Sequence, residues 1–265
     1  MVPEAQSAVL DLSIGAHPLL AGLFHAAWIA YALAWFVGLV RPEISRVILA
    51  AGVAAHLATT IGRGWLIEFF PLTNKFESFS AAALCLAIVT LVTWRKRRLY
   101  NQLMLVTVLL AAGAATRFSS DLVYAPPLMR TIWYPLHVPL SFFAYGLWTA
   151  AGAAGVVWFI DRDPDWLRRV DRWALQGFGL WSLSMIAGGF WGVVAWGAYF
   201  LWDPKILWSV ILWFHYATFV HLRLTPSLHG HPWIRPALAM LGVVWVFIAY
   251  VGTSFFFGAS SHAFG

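Results

Sequence analysis

Residues 188–214 read GGFWGVVAWGAYFLWDPKILWSVILWF, and this stretch decides the fold. It ends one apolar run, passes through an aromatic segment with a single carboxylate, and begins another apolar run. Asp203 followed by Pro204 stops a helix and puts a carboxylate beside Lys205, where the next helix should begin. Tryptophan prefers the water–lipid boundary because it joins a large apolar ring to one N–H donor. The stretch therefore predicts two membrane helices joined by a flat aromatic surface, residues 191–205.

The whole chain has the composition of a membrane protein. Of its 265 residues, 61% are hydrophobic and 11% are charged, so most of the chain dissolves only in hydrocarbon. Long apolar runs in lipid must satisfy their backbone polar groups internally, which predicts an all-α fold, and their lack of two-residue alternation excludes a barrel. We predict a polytopic helical bundle in a single membrane domain, residues 1–265. Its eight apolar runs lie near 18–40, 46–62, 76–94, 99–117, 132–160, 173–195, 206–222 and 236–258.

The basic residues predict the orientation of the bundle. Of the 17 lysines and arginines, those in one set of alternate connections are Arg41, Arg46, Arg95, Lys96, Arg97, Arg98, Arg162, Arg168, Arg169, Arg172, Arg223 and Arg235. The positive-inside rule assigns these connections to the cytoplasm. Both termini and the aromatic surface are therefore expected on the extracytoplasmic side. This topology explains the net charge of +6, so the expected contact is membrane lipid and no nucleic acid is expected.

Two of the nine histidines are expected beside the aromatic surface. His137 lies near the outer end of the fifth run, and His262 lies beyond the outer end of the last. Haem is a flat macrocycle whose iron takes two axial ligands, often imidazole nitrogens. Stacked indoles could hold the ring, and Lys205 could meet its propionates. The alternative is that each histidine is an ordinary hydrogen-bonded interfacial residue. Zinc is less favoured, because carboxylates are nearly absent from the apolar runs and Cys85 is the single cysteine.

Four stretches resemble the CcsA (ResC) family of cytochrome c assembly proteins, within the haem-handling superfamily that carries a tryptophan-rich (WWD) signature. Residues 188–214, followed by FVHLR at 219–223, resemble the family's W-G-x-Y-W-x-W-D-P-K-E-T and downstream L-H-T-R. RGWLIEFFPLTNKFESF at 63–79 resembles R-W-x-E-S-G-x-x-P-L-S-N-x-Y-E-S. WYPLHVPLSFFAYG at 133–146 and FGASSHAFG at 257–265 resemble its two outer histidine segments. The four stretches occur in the order that the family has.

The resemblance implies a haem-binding membrane subunit of a cytochrome c synthase. His137 and His262 match the outer histidines implied to bind the iron of non-covalent haem b, and His221 matches the histidine implied to hold haem within the membrane on its way outward. The other expected haem-binding positions are Asn74, Glu77, Trp191, Trp196, Gly197, Tyr199, Trp202, Asp203, Pro204 and Lys205. The implied partners are a CcsB (ResB) subunit and an apocytochrome c with a C-x-x-C-H motif. The implied location is a bacterial cytoplasmic or thylakoid-type membrane.

The implied enzyme activity is that of a holocytochrome c synthase, a lyase that forms thioether bonds, acting with the CcsB subunit. Its chemistry requires orientation and proximity of the apocytochrome thiols and the haem vinyl groups, so we expect no catalytic side chain. The chain departs from the family pattern at Phe200, where a tryptophan is usual, and at Ile206 and Leu207, where Glu-Thr is usual. These changes remove polar groups from a helix start and put full synthase activity in question.

Three other functions compete with this hypothesis. One is a haem chaperone of the CcmC type, although W-D-P-K in place of W-D-A-R argues against it. The second is a quinone-linked electron-transfer subunit with haem inside the bundle, which needs a histidine pair such as His56 with His215, or His25 with His137. The third is a secondary transporter, which predicts internal repeats that the sequence lacks.

Overall fold

The computed structural model describes residues 13–226 and 230–252, and eight α-helices form the framework of this part of the chain. Their bounds are α1 Pro18–Gly38, α2 Pro42–Leu66, α3 Lys75–Val92, α4 Arg98–Ala115, α5 Trp133–Asp161, α6 Pro164–Trp196, α7 Pro204–Leu224 and α8 Ile234–Phe247. A π-helical segment, Ile248–Gly252, continues α8, and a 3-10 turn, Pro127–Met129, precedes α5. Two short strands, β1 Ser13–Gly15 and β2 Leu122–Val123, pair antiparallel.

The predicted polytopic helical membrane fold is confirmed. In the described part of the chain, seven helices are long and apolar enough to cross a membrane, namely α1 to α6 and α8 with its π-helical continuation. The remaining helix, α7, is not among these seven, and it carries His215, His221 and Arg223 within its 21 residues. The sixth helix is longer than predicted, since α6 begins at Pro164 and not near residue 173.

Two groups of helices share the core. Helices α5 to α8 enclose a cluster in which the rings of Trp148 and Tyr216 stack, with centroids 3.8 Å apart and planes 1° apart. Helices α1 to α4 pack around the buried ring of Tyr31. The groups meet where Tyr100 of α4 packs against α6 and where α3 touches α5, since a Cβ on Gly146 would lie only 2.9 Å from Cγ2 of Val89. Glycine at that position allows the two helices to approach closely.

The connecting segments define two ends of the bundle. The aromatic end consists of residues 67–74, 116–132 and 197–203, and the arginine end consists of residues 93–97, 162–163 and the described part of 225–233. Hydrogen bonds between residues far apart in the sequence hold the aromatic end together. Oη of Tyr134 donates to the carbonyl of Leu72 over 2.7 Å, and Nε1 of Trp191 donates to the carbonyl of Leu128 over 2.9 Å. The expected extracytoplasmic location of this end stays a prediction.

Candidate functional site

A cavity of about 240 Å³ opens at the aromatic end between α3, α5, α6 and α7. The exposed side chains of Tyr199 and Phe200 line its mouth, and Trp181 and Ser209 line its deep wall. The lining residues that were predicted from the sequence are Asn74, His137, Trp191, Trp196, Tyr199 and Lys205. The fold therefore brings together residues from three of the stretches that carry the family resemblance.

The imidazole of His137 on α5 is held in one orientation by α6. Its Nδ1 lies 2.8 Å from the carbonyl oxygen of Ser184 and 3.0 Å from the Ser184 hydroxyl. Because a carbonyl oxygen only accepts hydrogen bonds, Nδ1 carries the proton and Nε2 keeps its lone pair. Among the described residues, none hydrogen-bonds to Nε2. Metal-binding histidines usually donate their other ring N–H in this way, which orients the ring and raises the basicity of the ligand nitrogen.

Small side chains on α6 make room for this arrangement. Ser184 is fully buried, and its hydroxyl donates to the carbonyl of His137 over 2.9 Å and lies 2.6 Å from the hydroxyl of Ser141. One turn further along α6, a Cβ on Gly188 would lie 2.7 Å from Nδ1 and 2.8 Å from Cε1 of His137. Glycine at position 188 is therefore required for the imidazole to lie against α6.

Aromatic rings form a wall of the cavity beside His137. The ring of Trp191 is buried, and its centroid lies 4.8 Å from those of Tyr134 and Trp196. The imidazole of His137 is tilted by only 25° from the plane of Trp191, at a centroid distance of 6.2 Å. Flat apolar rings at these distances offer offset or edge contacts to another flat conjugated ring.

The turn between α6 and α7 confirms the predicted helix break. Gly197 ends α6 in the left-handed conformation, with φ of +73°, and its N–H donates to the carbonyl of Val193 over 2.9 Å. Asp203 caps α7 by accepting a 2.8 Å hydrogen bond from the N–H of Lys205, and Pro204 is the first helical residue. Within the aromatic surface, Gly197, Asp203 and Pro204 thus shape the backbone and do not line the cavity.

Among the residues that the structure describes, the charged side chains that line the cavity are Lys75 and Lys205, and no Asp or Glu lines it. A partly enclosed site with charge of one sign favours a ligand of the opposite sign. Trp202, which was predicted to belong to the same surface, is 84% exposed, lies outside the cavity and makes a T-shaped contact with Phe200. The cavity therefore combines flat apolar walls with two positive charges.

Glu77 and Asn74 anchor the loops beside the cavity. The carboxylate of Glu77 is buried and accepts hydrogen bonds from Nη2 of Arg63 over 2.8 Å and from the backbone and hydroxyl of Thr73, each over 2.8 Å. Asn74 caps α3, since its Oδ1 accepts from the N–H of Glu77 over 2.9 Å, and its Nδ2 donates to the carbonyl of Asp121. Of the pair, Asn74 reaches the cavity and Glu77 does not.

Of the other two predicted iron ligands, only His221 lies in the described part of the chain, and it does not line the cavity. His221 lies near the arginine end of α7, 16 residues from Lys205, which is about 24 Å along a helix. It is exposed, and its Nδ1 donates to the carbonyl of Ala217 over 2.8 Å, which leaves Nε2 with its lone pair. His262 lies outside the described residues.

The histidine pair proposed for haem inside the bundle is not brought together. His56 is buried on α2, where Nδ1 lies 3.1 Å from the hydroxyl of Tyr31 and Nε2 lies 2.8 Å from the hydroxyl of Ser80. His215 on α7 instead donates from Nε2 to the carbonyl of Leu238 on α8, over 2.9 Å. In residues 13–226 and 230–252, no three side chains of His, Cys, Asp or Glu form a group that could hold a metal ion.

Several residues of the site were missed from the sequence. Ser184 and Gly188 both lie on α6 and contact His137, and their spacing of four residues places them on one helix face. That spacing, together with the G-G pair at 188 and 189, was a signal for close helix contact. Nothing in the sequence indicated that Lys75 lines the cavity or that Arg63 pairs with Glu77.

The sequence of the chain is similar to those of known cytochrome c assembly proteins. A sequence model of the family described as "Cytochrome C assembly protein" matches residues 72–259. A protein named "Cytochrome c biogenesis protein CcsA" from Guillardia theta is 25% identical over 278 residues, covering 88% of this chain and 91% of that protein. A protein of the same name from Gloeobacter violaceus is 43% identical over 90 residues, covering 34% of this chain and 25% of that protein.

A solved structure with a similar fold is that of "Cytochrome c Heme Lyase CcmF". The TM-score is 0.74 at 17% sequence identity, and the match covers 88% of this chain and 46% of that protein. The chain thus spans about half the length of that lyase, and the likeness concerns the fold.

Proposed function

Because this chain belongs to the cytochrome c assembly protein family, with a role in cytochrome c biogenesis, we propose that it binds haem b non-covalently in the cavity at the aromatic end. It presents this haem for covalent attachment to an apocytochrome c. The observation that carries the proposal is the imidazole of His137. It lines an aromatic cavity, and its Nδ1–H donates a hydrogen bond to the carbonyl of Ser184.

His137 provides one axial ligand of the haem iron through Nε2. A neutral imidazole with a fixed tautomer binds iron without losing a proton or rotating, so its position is preorganised. The wall of Trp191 and Trp196 lies against the porphyrin, and Tyr199 covers its edge at the mouth of the cavity. The two propionates of the cargo meet Lys75 and Lys205, whose positive charges no carboxylate of the described lining neutralises.

His262 provides the second axial ligand. Tyr250 lines the cavity, and the 12 residues from Tyr250 to His262 can reach up to about 40 Å when extended. That length is sufficient for the chain to return to the face of the porphyrin opposite His137. Two imidazole ligands saturate the iron and keep dioxygen from binding it.

The chain acts as the haem-presenting subunit of a holocytochrome c synthase, with a CcsB (ResB) type subunit as its partner. Each thiol of a C-x-x-C-H motif adds across one haem vinyl group, so that sulfur bonds to one carbon and hydrogen to the other, without an oxidant. The exposed rings of Tyr199, Phe200 and Trp202 border the cavity mouth and are available to an approaching polypeptide. The contribution of the chain is to hold the vinyl edge in reach, which lowers the barrier by proximity.

His221 binds haem on its way to the cavity. The route does not pass through the middle of the helix group α5 to α8, because the stacked rings of Trp148 and Tyr216 are fully buried there and leave no passage. His221 is instead exposed on α7, in line with the exposed residues Phe214 and Thr218 on one face of that helix. This position supports transfer along the lipid-facing side, from a cytoplasmic arginine end to an extracytoplasmic aromatic end.

An electron-transfer subunit with haem inside the bundle receives less support. Haem between His56 and His215 would require breaking the hydrogen bonds of both ring nitrogens of His56 in the core. Haem between His25 and His137 would require an exposed histidine of α1 to meet one that faces α6. A haem chaperone would use the same cavity as a synthase subunit and would differ in the protein that receives the haem, which is a carrier and not an apocytochrome c.

The test is purification of the full chain, an absorption spectrum in the reduced state, and a coupled assay with the partner subunit. We expect the spectrum of low-spin haem with two imidazole ligands, and thioether-bound product when an apocytochrome is present. Absence of haem from the purified chain after expression with excess haem precursor would overturn the binding proposal. Haem binding without any thioether product in the coupled assay would leave a chaperone and exclude a synthase.

A further inference from the structure

Several arginines at the arginine end have no carboxylate partner among the described residues, and three of them lie close enough for their charges to act on one another. In the described residues, Arg95, Arg169 and Arg172 have no Asp or Glu oxygen within 4.0 Å, and we call them the arginine cluster. The ion pairs of this end use other residues, namely Arg97 with Asp161, Arg168 with Asp165, and Arg235 with Asp171. These three carboxylates thus have arginine partners outside the cluster, and the cluster keeps its positive charge.

A row of aromatic rings from α4 and α6 supports the cluster. Tyr100 lies between Trp166 and Trp173, with centroid distances of 5.3 Å and 5.4 Å. The guanidinium of Arg169 lies over Trp166, with Cζ 5.5 Å from the ring centroid, and that of Arg95 lies over Trp173 at 5.7 Å. A cation–π contact positions a guanidinium without using a hydrogen-bond acceptor, so its N–H groups stay available for an anion.

Arg95 has a shielded donor that no protein group satisfies. Its Nε is shielded from solvent and has no hydrogen-bond partner, while its Nη1 donates to the carbonyl of the adjacent Trp94 over 2.8 Å. Burial, and then the positive charges of Arg169 and Arg172, lower the pKa of Arg95. Three like charges held together and partly desolvated are unfavourable unless a counter-charge binds among them.

The position of the cluster identifies the counter-charge. The 33 residues of α6 span about 50 Å, whereas the hydrocarbon core of a bilayer is about 30 Å thick. The first turns of α6, which carry Arg169, Arg172 and two tryptophans, therefore lie in the headgroup layer. We propose that the arginine cluster binds the phosphate of an anionic phospholipid headgroup. A zwitterionic lipid would add its own ammonium group beside three arginines, which disfavours it.

The chemistry of this site is that of forked guanidinium donors on phosphate oxygens. Arg95 and Arg169 approach from two different elements, the loop before α4 and the first turns of α6, so a phosphate between them would be held from two sides. The bound lipid would also join α4 to α6 at the arginine end. This role is independent of haem, because the cluster lies at the opposite end of the bundle from His137.

The experiment uses the delipidated full chain in a neutral detergent and measures lipid binding by native mass spectrometry. We expect phosphatidylglycerol to bind at least tenfold more tightly than phosphatidylcholine. The double variant Arg95→Gln, Arg169→Gln should remove that preference. Arg168→Gln is the control for the change at position 169, because it removes one positive charge from the neighbouring residue, whose side chain is 70% exposed and paired with Asp165. A separate arm measures thermal unfolding with inorganic phosphate.

The possible results separate the alternatives. The proposal would be overturned if the Arg168→Gln control lost the preference for phosphatidylglycerol to the same extent as the double variant. It would also be overturned if the natural chain showed no such preference. Inorganic phosphate that stabilises the chain as strongly as the lipid does would assign the site to free phosphate and would also overturn it. If the double variant does not fold, the single variant Arg172→Gln changes an exposed side chain, and its affinity for phosphatidylglycerol must still fall by several-fold.

Discussion

Nδ1 of His137 on α5 donates a 2.8 Å hydrogen bond to the backbone carbonyl of Ser184 on α6. A backbone acceptor cannot be removed by changing a side chain, so the tautomer of this histidine is set by how the two helices pack. The relationship decides which ring nitrogen faces a ligand, and the predictions about the cavity depend on it.

Replacing either proposed axial ligand should change the haem spectrum. His137→Ala or His262→Ala leaves one imidazole, so we expect the low-spin bis-imidazole absorption bands to disappear from the purified chain. The control is His25→Ala, which changes an exposed histidine of α1 whose Nδ1 bonds to its own helix. Normal bands in both ligand variants would contradict the assignment.

Gly188→Ala should weaken haem binding although it replaces neither proposed axial ligand. The new Cβ would lie 2.7 Å from Nδ1 of His137, so the imidazole must move away from α6 and lose its hydrogen bond. Changes to the groups that orient a metal ligand typically cost about 10- to 100-fold in affinity, and we expect a loss of that size in a haem titration. Gly179→Ala on the same helix is the control, since a Cβ there meets nothing within 4 Å. Equal effects of the two variants would argue against this role.

The lysines of the cavity should act through the propionates. Lys75→Gln or Lys205→Gln should weaken the binding of haem by several-fold, because each removes one charged partner of a carboxylate. With the dimethyl ester of haem, which has no propionate charge, the same variants should bind as well as the natural chain. A loss that is just as large with the ester would show that these lysines support the structure of the cavity instead.

His221→Ala should reduce the haem that arrives at the aromatic end without destabilising the chain. The side chain is exposed, so thermal unfolding in detergent should be unchanged, while haem content after expression should fall. Added imidazole should restore the content, because it replaces the missing ligand. If the His221→Ala variant contained as much haem as the natural chain when no imidazole was added, the proposed transfer step would be wrong.

The ion pair of Arg63 and Glu77 should stabilise the aromatic end. Both side chains are buried, and removing one partner of a buried pair typically costs about 3–5 kcal/mol because the other charge is left unpaired. Glu77→Leu alone and Arg63→Met alone should therefore each lower the unfolding temperature in detergent markedly, and the double variant Arg63→Met, Glu77→Leu should lower it by less than the two single effects added together. A double variant that is as unstable as the sum of the single ones would show that the pairing itself contributes nothing.

Local features of the chain could be predicted because they depend on nearby residues. Asp203 caps α7 and Pro204 begins it, as the dipeptide indicated, and the apolar runs became helices. The strand pair of Ser13–Gly15 with Leu122–Val123 was missed, since strands of two or three residues show no alternation that a pattern can detect. The long N-terminal part of α6 was also missed, because its charged residues lie beyond the apolar run.

By itself the sequence determined the class of fold and the break at Asp203-Pro204, because hydrophobic burial in lipid and helix capping act over a few residues. It also determined which histidines and tryptophans match the family pattern. Only the tertiary structure decided that Ser184 and Gly188 orient His137, that Glu77 is paired with Arg63, and that Lys75 and Lys205 line one cavity. These contacts join residues 14 to 130 positions apart, and their distances are set by how helices pack against one another, which no local pattern encodes.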